Sequence, residues 1–181
     1  MAGLGTERLV LRRWREEDLE PLAVIDGDPE VMRFIGDGSV RTREQTVAAL
    51  ALMERRWDER GFGLFAVELR ETGELAGWVG LNVPGSLPEV MPAVEIGWRL
   101  GRPFWGRGIA TEAAREALRF GFTEVGLDRI ISICHINHHA SARIMAKLGM
   151  RHEREMTVPA HGQRVRVLAI TRSEFDVIHG G

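Results

Sequence analysis

The sequence predicts an α/β fold of the mixed (α+β) kind: a largely antiparallel, twisted sheet flanked by helices on both faces. Three observations predict it. Apolar residues recur at helical spacing before Gly61. Two apolar runs separated by a tight turn then read as a hairpin, and strand and helix patterns alternate after it. With 181 residues, 44% hydrophobic and 28% charged, the chain has the balance of one globular domain, taken as 1–181 with a core over about 6–175.

The elements follow in order. Residues 9–14 alternate weakly and read as a short strand. Residues 16–25 carry Leu19, Leu22, Ala23 and Ile25 at helical spacing, with acids in the first turn where the helix dipole favours them. Asp28 caps, and Pro29 opens, a second short helix running through Phe34. Thr42 and Gln45 have capping-box spacing; the helix they start carries Val47, Leu50, Ala51, Glu54 and Trp57 at roughly helical spacing and stops at Gly61. Residues 64–69 and 75–81 are the hairpin strands, joined by Glu71-Thr72-Gly73-Glu74. Residues 83–92, rich in Pro and Gly, form a long connection between strands. A strand over 94–100 leads through a small-residue turn into a helix ending near Thr123, with Ile109, Ala113, Ala117 and Phe120 or Gly121 on its buried face. Residues 129–134 are an apolar strand, and 140–148 are a helix closed by Gly149. Strands over 150–158 and 164–170 flank the turn Ala160-His161-Gly162.

Composition removes several function classes. Lys and Arg number 24 against 26 Asp and Glu, so the net charge is −2, which argues against nucleic acid as a partner. The single cysteine, Cys134, excludes an internal disulfide and a multi-cysteine metal site. No apolar run approaches the roughly 20 residues that span a membrane, and no basic-then-apolar leader is visible. The expectation is a cytoplasmic chain with no membrane partner.

The sharpest local signal is Trp105-Gly106-Arg107-Gly108-Ile109-Ala110-Thr111, placed between a strand and a helix. Small residues there let a ligand approach the backbone, and the first helical turn offers unpaired N–H groups to a phosphate or diphosphate. The alternative is a tight packing turn without a ligand. A P-loop needs Lys and then Ser or Thr after its last Gly, where Ile109 and Ala110 stand. A dinucleotide fingerprint needs a third small residue where Thr111 stands.

Glu95-Ile96-Gly97-Trp98-Arg99-Leu100, followed by Pro103-Phe104-Trp105-Gly106-Arg107-Gly108-Ile109-Ala110-Thr111-Glu112-Ala113, closely resembles the coenzyme A-binding region of the GNAT superfamily of N-acetyltransferases. More narrowly it resembles the RimJ/RimL-like branch. Thr6-Glu7-Arg8-Leu9-Val10-Leu11-Arg12, the block from Asp28 to Gly36, Ala140-Ser141-Ala142-Arg143 and Lys147-Leu148-Gly149-Met150 share that resemblance, so it runs from about Thr6 to Phe175. Two positions depart from the pattern. Trp105 stands where the superfamily usually has Gln or Arg. His138 stands where the branch usually has Asn, with Asn137 one place earlier.

The resemblance implies a GNAT acyl-CoA N-acyltransferase fold and transfer of acetyl from acetyl-CoA, a co-substrate, to a primary amine. The amine is a protein N-terminal α-amine or a small molecule. It implies no metal, no covalent enzyme intermediate, and a monomer or homodimer. Amides from Gly106 through Arg107, Gly108, Ile109 and Ala110 to Thr111 would hold the diphosphate, with charge from Arg102, Arg107, Arg143 and Lys147. Ile96, Trp98 and Leu100 would pair with pantetheine by backbone, and Trp105, Asn137 and His138 complete the cofactor set. Glu95 is the candidate general base, directly or through water, and amides near Ile96 to Trp98 the candidate oxyanion donors. Relatives often protonate the leaving thiolate with Tyr. This chain has no Tyr, so Ser141 is the candidate by motif, with a plain helix N-cap as its other reading.

Rival readings of single residues are weaker. His135, His138 and His139 lack an accompanying carboxylate pattern for a metal. Cys134 inside an apolar strand reads as core and not as nucleophile. Trp57, Trp78 and Trp98 read as core aromatics, Trp98 having the best claim on a pocket, and His161 as a turn residue. The function classes left open beside the enzyme are a non-catalytic acyl-CoA-binding or regulatory domain and a different nucleotide-binding protein.

Overall fold

Near-continuous apolar runs along β3 (Leu64–Leu69) and β4 (Leu75–Asn82) let these strands bury both faces, and they lie in the middle of an eight-stranded sheet. The computed structural model describes residues 3–180. The other strands are β1 (Leu4–Gly5), β2 (Leu9–Arg12), β5 (Glu95–Leu100), β6 (Arg129–His135), β7 (Arg151–Thr157) and β8 (Arg164–Thr171), in the spatial order β1-β2-β3-β4-β5-β6-β8-β7. Neighbours are antiparallel except β5 and β6, which run parallel and share one registered pair, Glu95 with Ile131. The sheet is therefore mixed and largely antiparallel, as the order of elements predicts.

That single parallel pair positions everything else. The Ile131 N–H donates to the Val94 carbonyl at 2.9 Å, and the Ser132 hydroxyl caps the Ile96 carbonyl at 2.9 Å. Beyond them β5 and β6 part. On its other side β5 is paired with β4, and the Gly101 N–H continues that ladder to the Ala76 carbonyl at 2.9 Å. Backbone groups alternate sides along an antiparallel strand, so those of Trp98 and Leu100 face the gap.

The helices are α1 (Leu19–Asp26), α2 (Pro29–Met32), α3 (Arg43–Arg60), α4 (Ile109–Thr123), α5 (His139–Lys147) and α6 (Arg172–His179). Leu22 of α1 and Met53 of α3 pack with Ala66 and Leu75 on one face. Ala113, Ala117 and Leu118 of α4 pack with Phe65, Val67 and Val79 on the other. The α4 face is the predicted one, and Gly121 lets the helix sit close: a Cβ there would lie 2.8 Å from Ile130 Cδ1. The 83–92 connection contains a one-turn 3-10 helix, Pro88–Val90, and folds Leu87 and Val90 back against Ile131 and Val165.

Several expectations are corrected. The face of α3 is rotated: Thr46, Met53 and Trp57 are buried, while Val47 and Ala51 are exposed. A polar partner sets the rotation, because the Thr46 hydroxyl donates to the fully buried Asp26 at 3.2 Å and Glu54 turns aside to Arg13 at 2.7 Å. The helix opened by Pro29 ends at Met32, two residues before Phe34. The first predicted strand stops at Arg12, and Glu16–Asp18 forms a 3-10 turn ahead of α1. Strand β1 and helix α6 were not foreseen. Among the described residues, no helix is long and apolar enough to cross a membrane.

Candidate functional site

Gly106 and Gly108 have φ of +71° and +77°, a conformation that costs other residues strain. These two residues turn the chain from the 3-10 helix Arg102–Phe104 into α4. Among the described residues, the N–H groups of 106–111 have no intramolecular acceptor, and the first α4 bond runs from Glu112 N–H to the Gly108 carbonyl at 3.0 Å. Any helix start leaves such donors. Here they sit at the wall of a cavity of about 510 Å³ bordered by the end of β5, the start of α4 and α5.

Thirteen of the predicted cofactor residues form the cavity wall. Trp98 and Leu100 come from β5; Trp105, Gly106, Gly108, Ile109, Ala110 and Thr111 come from the glycine turn and α4. Asn137, His138, Ser141, Arg143 and Lys147 come from the start and one face of α5. The cavity thus has two helix N-termini on its wall. Trp105 is half exposed and anchored by its indole N–H on the Leu100 carbonyl at 2.9 Å. Four predicted residues stand off the wall. The Ile96 side chain is in the core and its carbonyl is taken by Ser132. The Arg107 carbonyl is held by Arg8 at 3.0 Å. Glu95 begins β5, partly buried, and burial pushes its carboxyl up to about 7 against one opposing hydrogen bond from the Ile133 N–H. Arg102, expected near the phosphates, is paired with Asp28.

Ser141 is buried beside Cys134, whose thiol burial pushes up to about 11. A thiol so placed stays protonated at neutral pH, in keeping with a core role for Cys134. His138 is partly buried, and burial together with His135 and His139 holds its pKa below the ordinary histidine value. The N–H of Asn137 donates to His135 Nδ1 at 3.1 Å, so neutral His135 carries its proton on Nε2, which reaches Gln163 Oε1 at 3.1 Å. Among the described residues, no group of three or more His, Cys, Asp or Glu is arranged to hold a metal ion.

Sequence reasoning missed a strap. Glu30, Val31, Arg33, Phe34 and Ile35 close one side of the cavity, and the Phe34 ring stacks on His138 at 4.9 Å and tilts against His135 at 5.3 Å. The strap is held at its base by Asp26, which takes Arg99 at 2.6 Å and Arg41 at 3.3 Å. The block from Asp28 to Gly36 carries the family resemblance, but contacts this distant along the chain leave no local signal.

The family model described as "Acetyltransferase (GNAT) domain" matches residues 8–151. The uncharacterized N-acetyltransferase YoaA of Bacillus subtilis (strain 168) is 28% identical over 150 residues, which are 83% of this chain and 83% of that protein. The crystal structure of a GNAT-family acetyltransferase from Bacillus anthracis is 27% identical, with a TM-score of 0.78 over 94% of this chain and 99% of the other. The Mycobacterium smegmatis RimJ structure, a complex with CoA-disulfide, has a TM-score of 0.77 at 21% identity, covers 92% of this chain and 83% of its own, and shows the shared fold.

Proposed function

The chain belongs to the GNAT acetyltransferase family, and from that premise we propose that it transfers acetyl to a primary amine by direct attack in a ternary complex. As a member it is an acetyl-CoA-dependent N-acetyltransferase; the acceptor proposed is a protein N-terminal α-amine or a small-molecule amine. One observation carries the reading: the amides of the 106–111 turn, unpaired among the described residues, beside a cavity that Trp98 and Leu100 of β5 also line.

In this mechanism the 106–111 amides bind the diphosphate, with Arg143 and Lys147 adding charge from α5. The backbone of Trp98 and the N–H of Leu100, whose carbonyl is held by Trp105, pair with the pantetheine arm in the place of a further strand. The amine nitrogen attacks the thioester carbon, and amides of β5 at the parting stabilise the oxyanion. Glu95 accepts the amine proton through water, since its carboxyl stands off the cavity wall. The carbon–sulfur bond breaks, and the Ser141 hydroxyl hydrogen-bonds the departing thiolate beside the free N–H groups at the α5 start.

Free-thiol release from acetyl-CoA over a panel of amines tests the reading. Turnover on at least one amine is expected, with Glu95→Gln lowering kcat by roughly 10²–10⁴-fold. Cofactor binding without turnover on any amine overturns the catalytic part. Stabilisation by ATP or NAD but not by coenzyme A overturns the whole.

A further inference from the structure

Helix α4 carries Glu112 in its first turn. A carboxylate there suits the helix N-terminus but opposes a second anion at the same amides. The structure answers this with residues from the other end of the chain. Glu112 Oε1 accepts the Thr6 hydroxyl at 2.6 Å and the Arg8 N–H at 3.1 Å; Oε2 accepts Arg8 Nε at 2.7 Å and makes an ion pair with Arg8 Nη2 at 2.6 Å. These bonds outweigh burial and hold the Glu112 carboxyl below its ordinary value. The third Arg8 nitrogen donates to the Arg107 carbonyl at 3.0 Å, between the two left-handed glycines.

That last bond sets a direction. In a planar trans peptide the C=O and the following N–H point opposite ways. Holding the Arg107 carbonyl on Arg8 therefore turns the Gly108 N–H away from Arg8, on the residue that lines the cavity, and no intramolecular acceptor takes that N–H among the described residues. One guanidinium neutralises the competing carboxylate and aims the amide.

We propose that Arg8 is a positioning residue for the cofactor diphosphate, acting through Glu112 and the Arg107 carbonyl without touching the ligand. The inference rests on the diphosphate reading above. Its role is confined to the diphosphate end, so it separates coenzyme A from pantetheine, which has no diphosphate.

The test measures dissociation constants of both ligands by titration or competition on the intact protein, for the wild type, Arg8→Ala, Arg8→Lys and Arg8→Ala/Glu112→Gln. Arg8→Ala is expected to weaken coenzyme A about tenfold, the scale of one charge-assisted hydrogen bond, and pantetheine less than twofold. Arg8→Lys keeps the charge but cannot hold both partners, and is expected to fall between. The double variant is expected to recover part of the loss, because the uncompensated carboxylate is gone. An equal loss for both ligands marks a merely structural role and overturns the proposal, as does no loss for either. A wild type that binds coenzyme A no more tightly than pantetheine overturns the diphosphate reading first, and this inference with it.

Discussion

A carboxylate at the start of a buried strand has two ways to lower its energy: find a cation or keep its proton. Glu95 has one Ile133 N–H and no cation among the groups that shift it, so desolvation dominates and its carboxyl rises to about 7 from the ordinary 4.5. That is the range in which a base is about half ionised and still basic at neutral pH. Because the ionised form is the base, kcat/KM is expected to climb as pH rises through about 7, and Glu95→Gln should remove that limb while leaving the limb set by the amine itself. Stability should move oppositely. The folded chain holds this proton more tightly than the unfolded chain, so the contribution is full below the ordinary 4.5 and is lost as pH rises through about 7. Melting temperatures of wild type and Glu95→Gln between pH 5 and 8 check this: the wild type should lose ground to the variant as pH rises. A flat difference would mean Glu95 is solvated and cannot be the tuned base.

Helix ends show what short-range chemistry makes readable. Thr42 accepts the Gln45 N–H at 3.2 Å while Gln45 accepts the Thr42 N–H at 2.8 Å, and Gly61 ends α3 at φ +73°. All of this lies within a few residues, and it was legible. Thr171 and Glu174 make the same reciprocal pair at the start of α6, with bonds of 3.3 and 2.9 Å, and that helix was overlooked although its pattern is identical. Thr42→Ala and Thr171→Ala are each expected to cost about 1 kcal/mol in denaturant unfolding, and to add, because α3 and α6 share no capping partner. A change below 0.3 kcal/mol at either site, by estimate well under the usual cap range, would show that tertiary packing alone holds that helix. The α4 face was equally legible from its apolar spacing. The α3 face was not, because a buried carboxylate on another helix chose it; nor was two-residue β1, which is too short to show a period. Within the site, the glycine turn was legible because small residues at a strand-to-helix junction are rare without cause, whereas Arg8, Phe34 and Arg99 reach it only through the folded chain.

At the scale of the molecule, the segment before Gly61 closes over a cavity built by residues after Trp98, and one residue governs that closure. Asp26 ends α1, is fully buried, and makes four polar contacts: Arg99 on β5 at 2.6 Å, Arg41 just ahead of α3 at 3.3 Å, the Thr46 hydroxyl at 3.2 Å, and the Arg41 N–H on its own carbonyl at 2.9 Å. The strap over residues 27–40 is thereby tied at both ends to the strand that borders the cavity. Among the described residues the Arg99 Nε has no hydrogen-bond partner, and the guanidinium lies over the Trp78 ring at 5.1 Å. Removing the Asp26 charge leaves a buried guanidinium uncompensated, so Asp26→Asn is expected to cost about 3–5 kcal/mol. Truncating both partners removes the stranded charge, so Asp26→Asn/Arg99→Met is expected to regain a substantial part of that loss. The strap's second fastening, Phe34 on His138, lies at the surface end, so Phe34→Ala should cost less stability than Asp26→Asn and act chiefly on the KM of the amine. Equilibrium unfolding of the three variants, with the KM of each substrate, decides the matter. If Asp26→Asn unfolds within 1 kcal/mol of the wild type, roughly the worth of a solvated surface pair, the hub is not buried in solution and the strap is not fastened through it.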